Sequence, residues 1–366
     1  MLYKILDRKA ITKIQTTILV LIIAIASVGG VAAYYYSTLN PGGAASSLTI
    51  VDYAGRTVVI NGTIESVASN YPIATEIILF LGGEDKLIGA DNTCMGNSFF
   101  TTLYPKLLEA TDLGHVRTGT NIEQVVDLAP SVFVASGSAV ETADQLTDLG
   151  VPTVCLSYET PEDFNDALTV IGKLLGDEAT AQSAVQYYTE KKQTLASKTQ
   201  DLDDANKPSV LFVSYGAGKT YTLKAPGQGM LQNNLIEIAG GKSLSADQPG
   251  GWNEISMEQV AVWDPDMIIV TSYASNVSTT DLKNQIMADD TWNITTAKVE
   301  GKVYAFAQDW GSWDAPTPKW ILGACWLGKF IQPDLFASTN LIELATDFYQ
   351  RFYGITYEEA TVRGDM

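Results

Sequence analysis

One segment of this chain occurs twice, and any fold has to house both copies. Residues 122–136 run IEQVVDLAPSVFVAS and residues 257–271 run MEQVAVWDPDMIIVT, so Glu-Gln-Val, four residues, a proline and an apolar run recur at an offset of 135. Proline lacks the amide hydrogen that a helix interior needs, so each copy predicts a short helix that breaks at proline and feeds a buried strand. Glu123 and Glu258 fall in the first helical turn, where a carboxylate complements the helix dipole. Spacing alone leaves two explanations open: an internal repeat of two lobes, or chance reuse of a common unit.

Around the two copies, short apolar runs alternate with amphipathic stretches, the pattern of an α/β fold. VASN (67–70), LIGA (87–90), SVFVAS (131–136) and PTVCLS (152–157) read as strands, with a helix from Pro72 to Leu81 opened by its proline. A second series follows Lys207-Pro208: strands SVLFVS (209–214), MIIVTS (267–272) and KVYAFA (302–307), and helices over 229–239, over 317–331 and from Ile342 to Tyr353. Between the series, Asp177 to Ala205 holds neither glycine nor proline and predicts one long helix. A length of 366 residues suits two domains of roughly 150 each. The resulting expectation is an amino-terminal lobe over 48–176, a connecting helix over 177–206 and a carboxy-terminal lobe over 207–366.

The amino terminus bears on the compartment. Ile14 to Tyr36 carries no charge and is strongly apolar, long enough as a helix to cross a hydrocarbon core of about 30 Å. Lys4, Arg8, Lys9 and Lys13 precede it, so the positive-inside rule places the amino terminus in the cytoplasm and the body outside. The expectation is a stub and single-pass anchor over 1–36 in the cell membrane, then a Pro/Gly/Ser linker over 37–47. A cleaved signal peptide with small residues at Ala32 and Ala33 is the alternative, and it exports the body equally. Asn61, Asn276 and Asn293 begin glycosylation tripeptides that agree with export.

Several function classes drop out. The formal net charge is −19, and the basic cluster at the start makes the remainder more acidic still, which repels nucleic acid. Cys94, Cys155 and Cys325 form no CxxC metal site; Cys94 and Cys155 either pair in an oxidising compartment or stay as buried thiols. His115 is the single histidine, which argues against a His-rich metal site, and one histidine beside Gly114 and Val116 reads as a surface or loop residue. No cofactor and no resident metal are expected.

Taken in order, LTIVDYAGRTVVI (48–60), VASNYPIATEIILFLGGEDKLIGA (67–90), the two repeat copies, GMLQNNLIEIAGG (229–241) and QDWGSWDAPTPKWILGACWLGKFIQPDLF (308–336) resemble the class III substrate-binding proteins of ABC importers, the cobalamin and ferric-siderophore type. The resemblance covers residue 48 to about 355. It implies two Rossmann-like α/β lobes joined by one long helix, a ligand held between them, and delivery to an ABC permease with its ATPase subunits. It also implies that Glu123 and Glu258 dock on basic residues of the permease. Its ligands are metal chelates (ferric siderophore, corrinoid or haem) and, in some branches, oxyanions such as molybdate.

In α/β lobes, ligands meet the loops beyond the carboxyl ends of the strands. Those loops offer Tyr71, Asn92, Met95, Gly119 and Ser136 from the first lobe, and Tyr215, Trp252, Tyr273, Trp310 and Trp313 from the second. Aromatic faces suit a bulky, partly apolar ligand. With Arg117 and Lys219 as the nearest cations, a large chelate is favoured over a small oxyanion.

Other signals are weaker. GAGKT (216–220) lacks the first glycine of a P-loop, since that position is Val213. Asp309 and Asp314 suggest a carboxylate pair for an exported glycoside hydrolase, with no second acidic cluster to support it. A membrane-anchored sensor or adhesion domain of the same fold is a further alternative.

Overall fold

Arg56 shows how the folded body begins. Strands β1 (Ser47–Val51) and β2 (Thr57–Asn61) pair as a hairpin, and β2 alternates, with Val58 and Ile60 buried and Val59 exposed. At the turn, Arg56 Nη2 lies 2.7 Å from Asp52 Oδ2, which also accepts the Cys155 amide at 3.0 Å, while Nη1 reaches Asp144 at 2.9 Å. One buried carboxylate thus ties the hairpin to the first lobe.

The computed structural model describes residues 47–215, 222–273, 277–358 and 361–366. The expected anchor (1–36), the linker apart from Ser47, Lys219, the GAGKT segment and Asn276 lie outside the described residues, as does the side chain of Tyr215. Among the described residues, no helix is long and apolar enough to cross a membrane. The body, Thr49–Ile60 with Ile64–Met366, is one compact unit containing two larger sheets besides the hairpin.

In the first lobe, β3 (Val67–Ala68), β4 (Leu87–Ala90), β5 (Thr111–Asp112), β6 (Val132–Ser136) and β7 (Thr153–Leu156) form a parallel sheet of order β5-β4-β3-β6-β7. Its helices are α1 (Pro72–Phe80), α2 (Asn92–Met95), α3 (Ser98–Leu103), α4 (Ile122–Leu128), α5 (Val140–Asp148) and α6 (Pro161–Leu175). The parallel strands are near-continuously buried, as strands covered by helices on both faces must be.

α6 ends at Gly176, whose φ of 74° is the left-handed cap that glycine adopts without strain. Asp177 then caps α7 (Glu178–Thr199), accepting the Thr180 amide at 3.0 Å. The long helix expected over 177–205 therefore stops at Thr199. Past it, Asp203 turns extended and a short 3₁₀ turn covers Asp204–Asn206. α7 packs along α6 and reaches the second lobe through Tyr188, whose hydroxyl donates to the Pro318 carbonyl at 2.6 Å.

The second sheet contains β8 (Ser209–Tyr215), β9 (Leu223–Pro226), β10 (Lys242–Ser243), β11 (Trp252–Glu254), β12 (Met267–Thr271) and β13 (Val303–Ala305). β10, β12 and β13 run parallel to the β8 direction, while β9 is antiparallel to β8. Around it lie α8 (Leu231–Ile238), α9 (Met257–Trp263), α10 (Thr279–Ala288), α11 (Thr296–Val299), α12 (Trp320–Ile331) and α13 (Leu341–Tyr353).

The repeated segments occupy matching places. Asn121 caps α4 by accepting the Gln124 amide, and Ser256 caps α9 by accepting the Gln259 amide, both at 3.2 Å. α4 ends at Ala129 with φ 49° and α9 at Asp264 with φ 38°, one residue before proline in each case. Ser131 and Asp266, the next matching pair, accept backbone amides at the entry of β3 and β8: Ser66 N–H to Ser131 at 3.2 Å and Ser209 N–H to Asp266 at 2.7 Å. Each repeat strand then pairs with its lobe's first parallel strand, β6 with β3 and β12 with β8. Chance reuse would not reproduce caps, left-handed ends and pairing together.

Candidate binding site

The two lobes enclose a cavity of about 480 Å³. The first lobe contributes the start of α1 (Tyr71, Glu76), the segment after β4 (Thr93, Cys94, Asn97), His115 and Arg117 after β5, and Glu159 after β7. The second contributes Gln232 from α8, Trp252 of β11, Tyr273 after β12, and the loop between β13 and α12 from Trp310 to Lys319. Nearly all of these follow the carboxyl ends of strands, where open α/β sheets place ligands.

Loop geometry sets the polar groups. His115 opens a 3₁₀ turn, and its Nδ1 accepts the Arg117 amide at 3.0 Å, which assigns the neutral ring proton to Nε2. Burial and the neighbouring Arg117 guanidinium hold the imidazole below its ordinary pKa. Arg117 is exposed and makes no ion pair among the described residues. Lys319, 1% exposed, faces Glu76 across the lobes at 3.5 Å. Burial alone would lower the Lys319 ammonium, but the carboxylates of Glu76 and Asp309 offset this and hold it above its ordinary value. Burial pushes Glu159 upward, against a hydrogen bond from the Leu231 amide at the start of α8.

Beneath the cavity lies a buried carboxylate. Asp314 accepts hydrogen bonds from Tyr273, Ser312 and Thr271, the last at 2.8 Å, while Gln232 Nε2 donates to its carbonyl at 3.0 Å. Burial raises the Asp314 carboxyl despite these donors. The network fixes Tyr273 and Gln232 in the wall. Asp309 is likewise occupied, accepting from Trp313 Nε1 at 2.8 Å, Tyr349 at 2.6 Å and Tyr357 at 3.3 Å. Both carboxylates of the supposed hydrolase pair are thus committed to internal donors.

Of the residues expected to contact a ligand, Tyr71, Trp252, Tyr273 and Trp310 line the cavity. Asn92, Met95 and Gly119 do not; from the same segment Thr93, Cys94 and Asn97 do, because Asp91 caps α2 and turns Cys94 inward. Ser136 lines a neighbouring cavity of about 320 Å³ that shares Tyr71 and Glu159 with the first. Trp313 is a correction: it is fully buried, bonded to Asp309 and packed where Gly323 approaches its carbonyl, so it forms part of the core. His115, read as a surface or loop residue, is on the cavity wall. Glu76 and Lys319 escaped sequence reading, although each is a lone charge in an apolar context, IATEIILF and PKWILGACW. Cys94, Cys155 and Cys325 are buried free thiols.

The periplasmic binding protein model matches residues 67–309, which spans both sheets and the cavity wall up to the loop that begins at Trp310. The chain belongs to this family. It is similar to the molybdate-binding protein MolA of Haemophilus influenzae, with 24% identity over 85% of this chain and 89% of that one. It is also similar to the vitamin B12-binding protein of Salmonella typhi, 29% identical over 57% of this chain and 76% of that one. A periplasmic solute-binding protein from Veillonella parvula superposes with a TM-score of 0.71 at 26% identity, covering 86% of this chain and 95% of that one. The chain is therefore a solute-binding protein of the ABC-transporter class, a binding protein and not an enzyme, and its extracytoplasmic family partners a permease and ATPase. The glycoside hydrolase alternative falls with that membership.

Proposed function

We propose that this periplasmic binding protein captures a compact, metal-centred anion and delivers it to its ABC permease, with an oxyanion of the molybdate type as the first candidate. The observation that carries this reading is the convergence of Arg117, His115 and Lys319 on one cavity. Guanidinium, ammonium and imidazole N–H groups are the donors an oxyanion recruits. The similarity to MolA along most of both chains agrees with it. The aromatic walls formed by Tyr71, Trp252, Tyr273 and Trp310 favour a second reading, an anionic metal chelate such as a ferric siderophore, corrinoid or haem. The cavity volume falls within the range of about 300–1,000 Å³ typical of small-molecule sites.

In this reading Glu123 and Glu258 are exposed at the starts of α4 and α9 and serve as the docking carboxylates, and the apolar segment over 1–36 tethers the body to the membrane. The lobes and connecting helix are divided at about residues 176 and 206. A titration following tryptophan fluorescence tests the ligand: Trp252 and Trp310 sit in the wall and report its occupancy. Saturable change with molybdate or tungstate but not with the chelates is expected. Saturation by a chelate alone moves the assignment to the second reading. Silence across both groups rejects the anion reading and leaves the sensor or adhesion alternative.

A further inference from the structure

Glu76 and Lys319 meet at the cavity wall, one from each lobe, and both are buried. Their 3.5 Å separation exceeds the roughly 2.7–2.9 Å of a good charge-assisted hydrogen bond. Glu76 Oε1 has no hydrogen-bond partner. A Cβ at Gly311 would come within 2.5 Å of Lys319 Nζ, so the loop leaves the ammonium a gap that a side chain would close. Lys319 is held by Glu76 of the first lobe and by the charge of Asp309 in the second, and it lines the ligand space.

Resting on the anion reading above, we propose that the bound anion takes Lys319 from Glu76, and that Glu76 then takes up one proton from solvent. Anion capture and protonation of the site become a single event. A buried carboxylate that loses its cation is far costlier than the neutral carboxyl, so protonation is the cheaper outcome. Only a proton moves: it leaves a solvent hydronium or buffer acid and binds a Glu76 oxygen.

The surroundings support this. Burial already pushes the Glu76 carboxyl above its usual range, with Lys319 as the restraint pulling it back and Asp309 and Asp91 pushing further. The groups facing Glu76 are Asp91 and Cys94 beside α2, Tyr104 after α3, Tyr188 of α7, Tyr353 of α13, and Asp309 and Lys319 of the second lobe. Burial pushes the thiol and the three phenols up, so they stay protonated through the neutral range. With its restraint withdrawn, Glu76 has a higher pKa in the complex than in the free protein. Affinity therefore rises as pH falls between those two values, by up to about tenfold per pH unit for one proton. His115 is the competing acceptor, since an anion beside it would offset Arg117.

The test is calorimetric titration of the full-length chain with molybdate, in buffers of different ionisation enthalpy, over a pH range where molybdate itself stays fully deprotonated. About one proton taken up per molybdate is expected in the wild type, with log Kd changing by about one per pH unit. Glu76→Gln should bind molybdate with no proton uptake, and His115→Gln should keep the uptake. Lys319→Gln removes the contested cation and should lose both the pH slope and tenfold or more in affinity. Molybdate binding without proton uptake in the wild type overturns the proposal alone, as does uptake that survives Glu76→Gln but vanishes in His115→Gln. Absence of molybdate binding at every pH overturns the oxyanion reading together with it.

Discussion

Asp309 satisfies three donors, the Trp313 indole and the Tyr349 and Tyr357 hydroxyls. Asp309→Ala strands them, and a stranded buried donor is expensive; a loss of about 2–4 kcal/mol in unfolding free energy is expected from urea denaturation. Arg117 stands at the opposite extreme. It is exposed and has no ion-pair partner among the described residues, so Arg117→Ala should leave stability within about 0.5 kcal/mol of wild type. The same substitution should weaken molybdate binding by about tenfold or more, since it removes a charge-assisted donor. Equal loss of stability and affinity would mean that the guanidinium braces the loop and does not receive the ligand.

The two repeat helices offer a controlled comparison at the level of elements. Ala129 and Asp264 hold the same left-handed conformation, which costs an L-residue about 1–2 kcal/mol and glycine almost nothing. Ala129→Gly should therefore be neutral or stabilising by up to about 1 kcal/mol, against the usual effect of glycine. Asp264→Gly gains the same relief but loses a carboxylate that accepts the amide and the hydroxyl of Thr296, the first residue of α11, at 2.7 and 3.1 Å. Its net effect should be destabilising by about 1 kcal/mol, measured the same way. Element ends of this kind were legible before the structure: Pro130, Pro265 and Gly176 each stop the backbone for a local reason. The end of α7 was not, because no glycine or proline marks 200–206, and where the helix stops depends on what it packs against. The site divides along the same line. Tyr71, Tyr273 and Trp310 are loop aromatics whose place follows from strand polarity, while Trp252 opens strand β11. Glu76 and Lys319 lie in segments that read as helix, and their meeting depends on how one lobe faces the other. His115 is the loop residue expected, and its place on the cavity wall depends on the same facing of the lobes.

At the scale of the molecule, the docking proposed for Glu123 and Glu258 would be a two-point contact, one carboxylate from each lobe. Replacing Glu123 and Glu258 together with Ala should abolish uptake in cells while leaving molybdate affinity within about twofold, because both are exposed and neither lines the cavity. Lost affinity would instead assign them to the fold. The lobes are also joined by rings: Phe99 of the first stacks on Trp310 of the second at 4.5 Å, and Asn97 Nδ2 donates to the Trp310 carbonyl at 2.9 Å. Phe80 packs at 4.8 Å from Phe352, and Phe99 at 5.3 Å from Tyr353, so α13 lies against residues contributed some 250 positions earlier. A ribosome makes that helix near the end of its work. Until it arrives, Phe80 lacks the cover of Phe348, Phe352 and Tyr353, and Phe99 that of Tyr349 and Tyr353, and the lobe that is synthesised first is the one completed last.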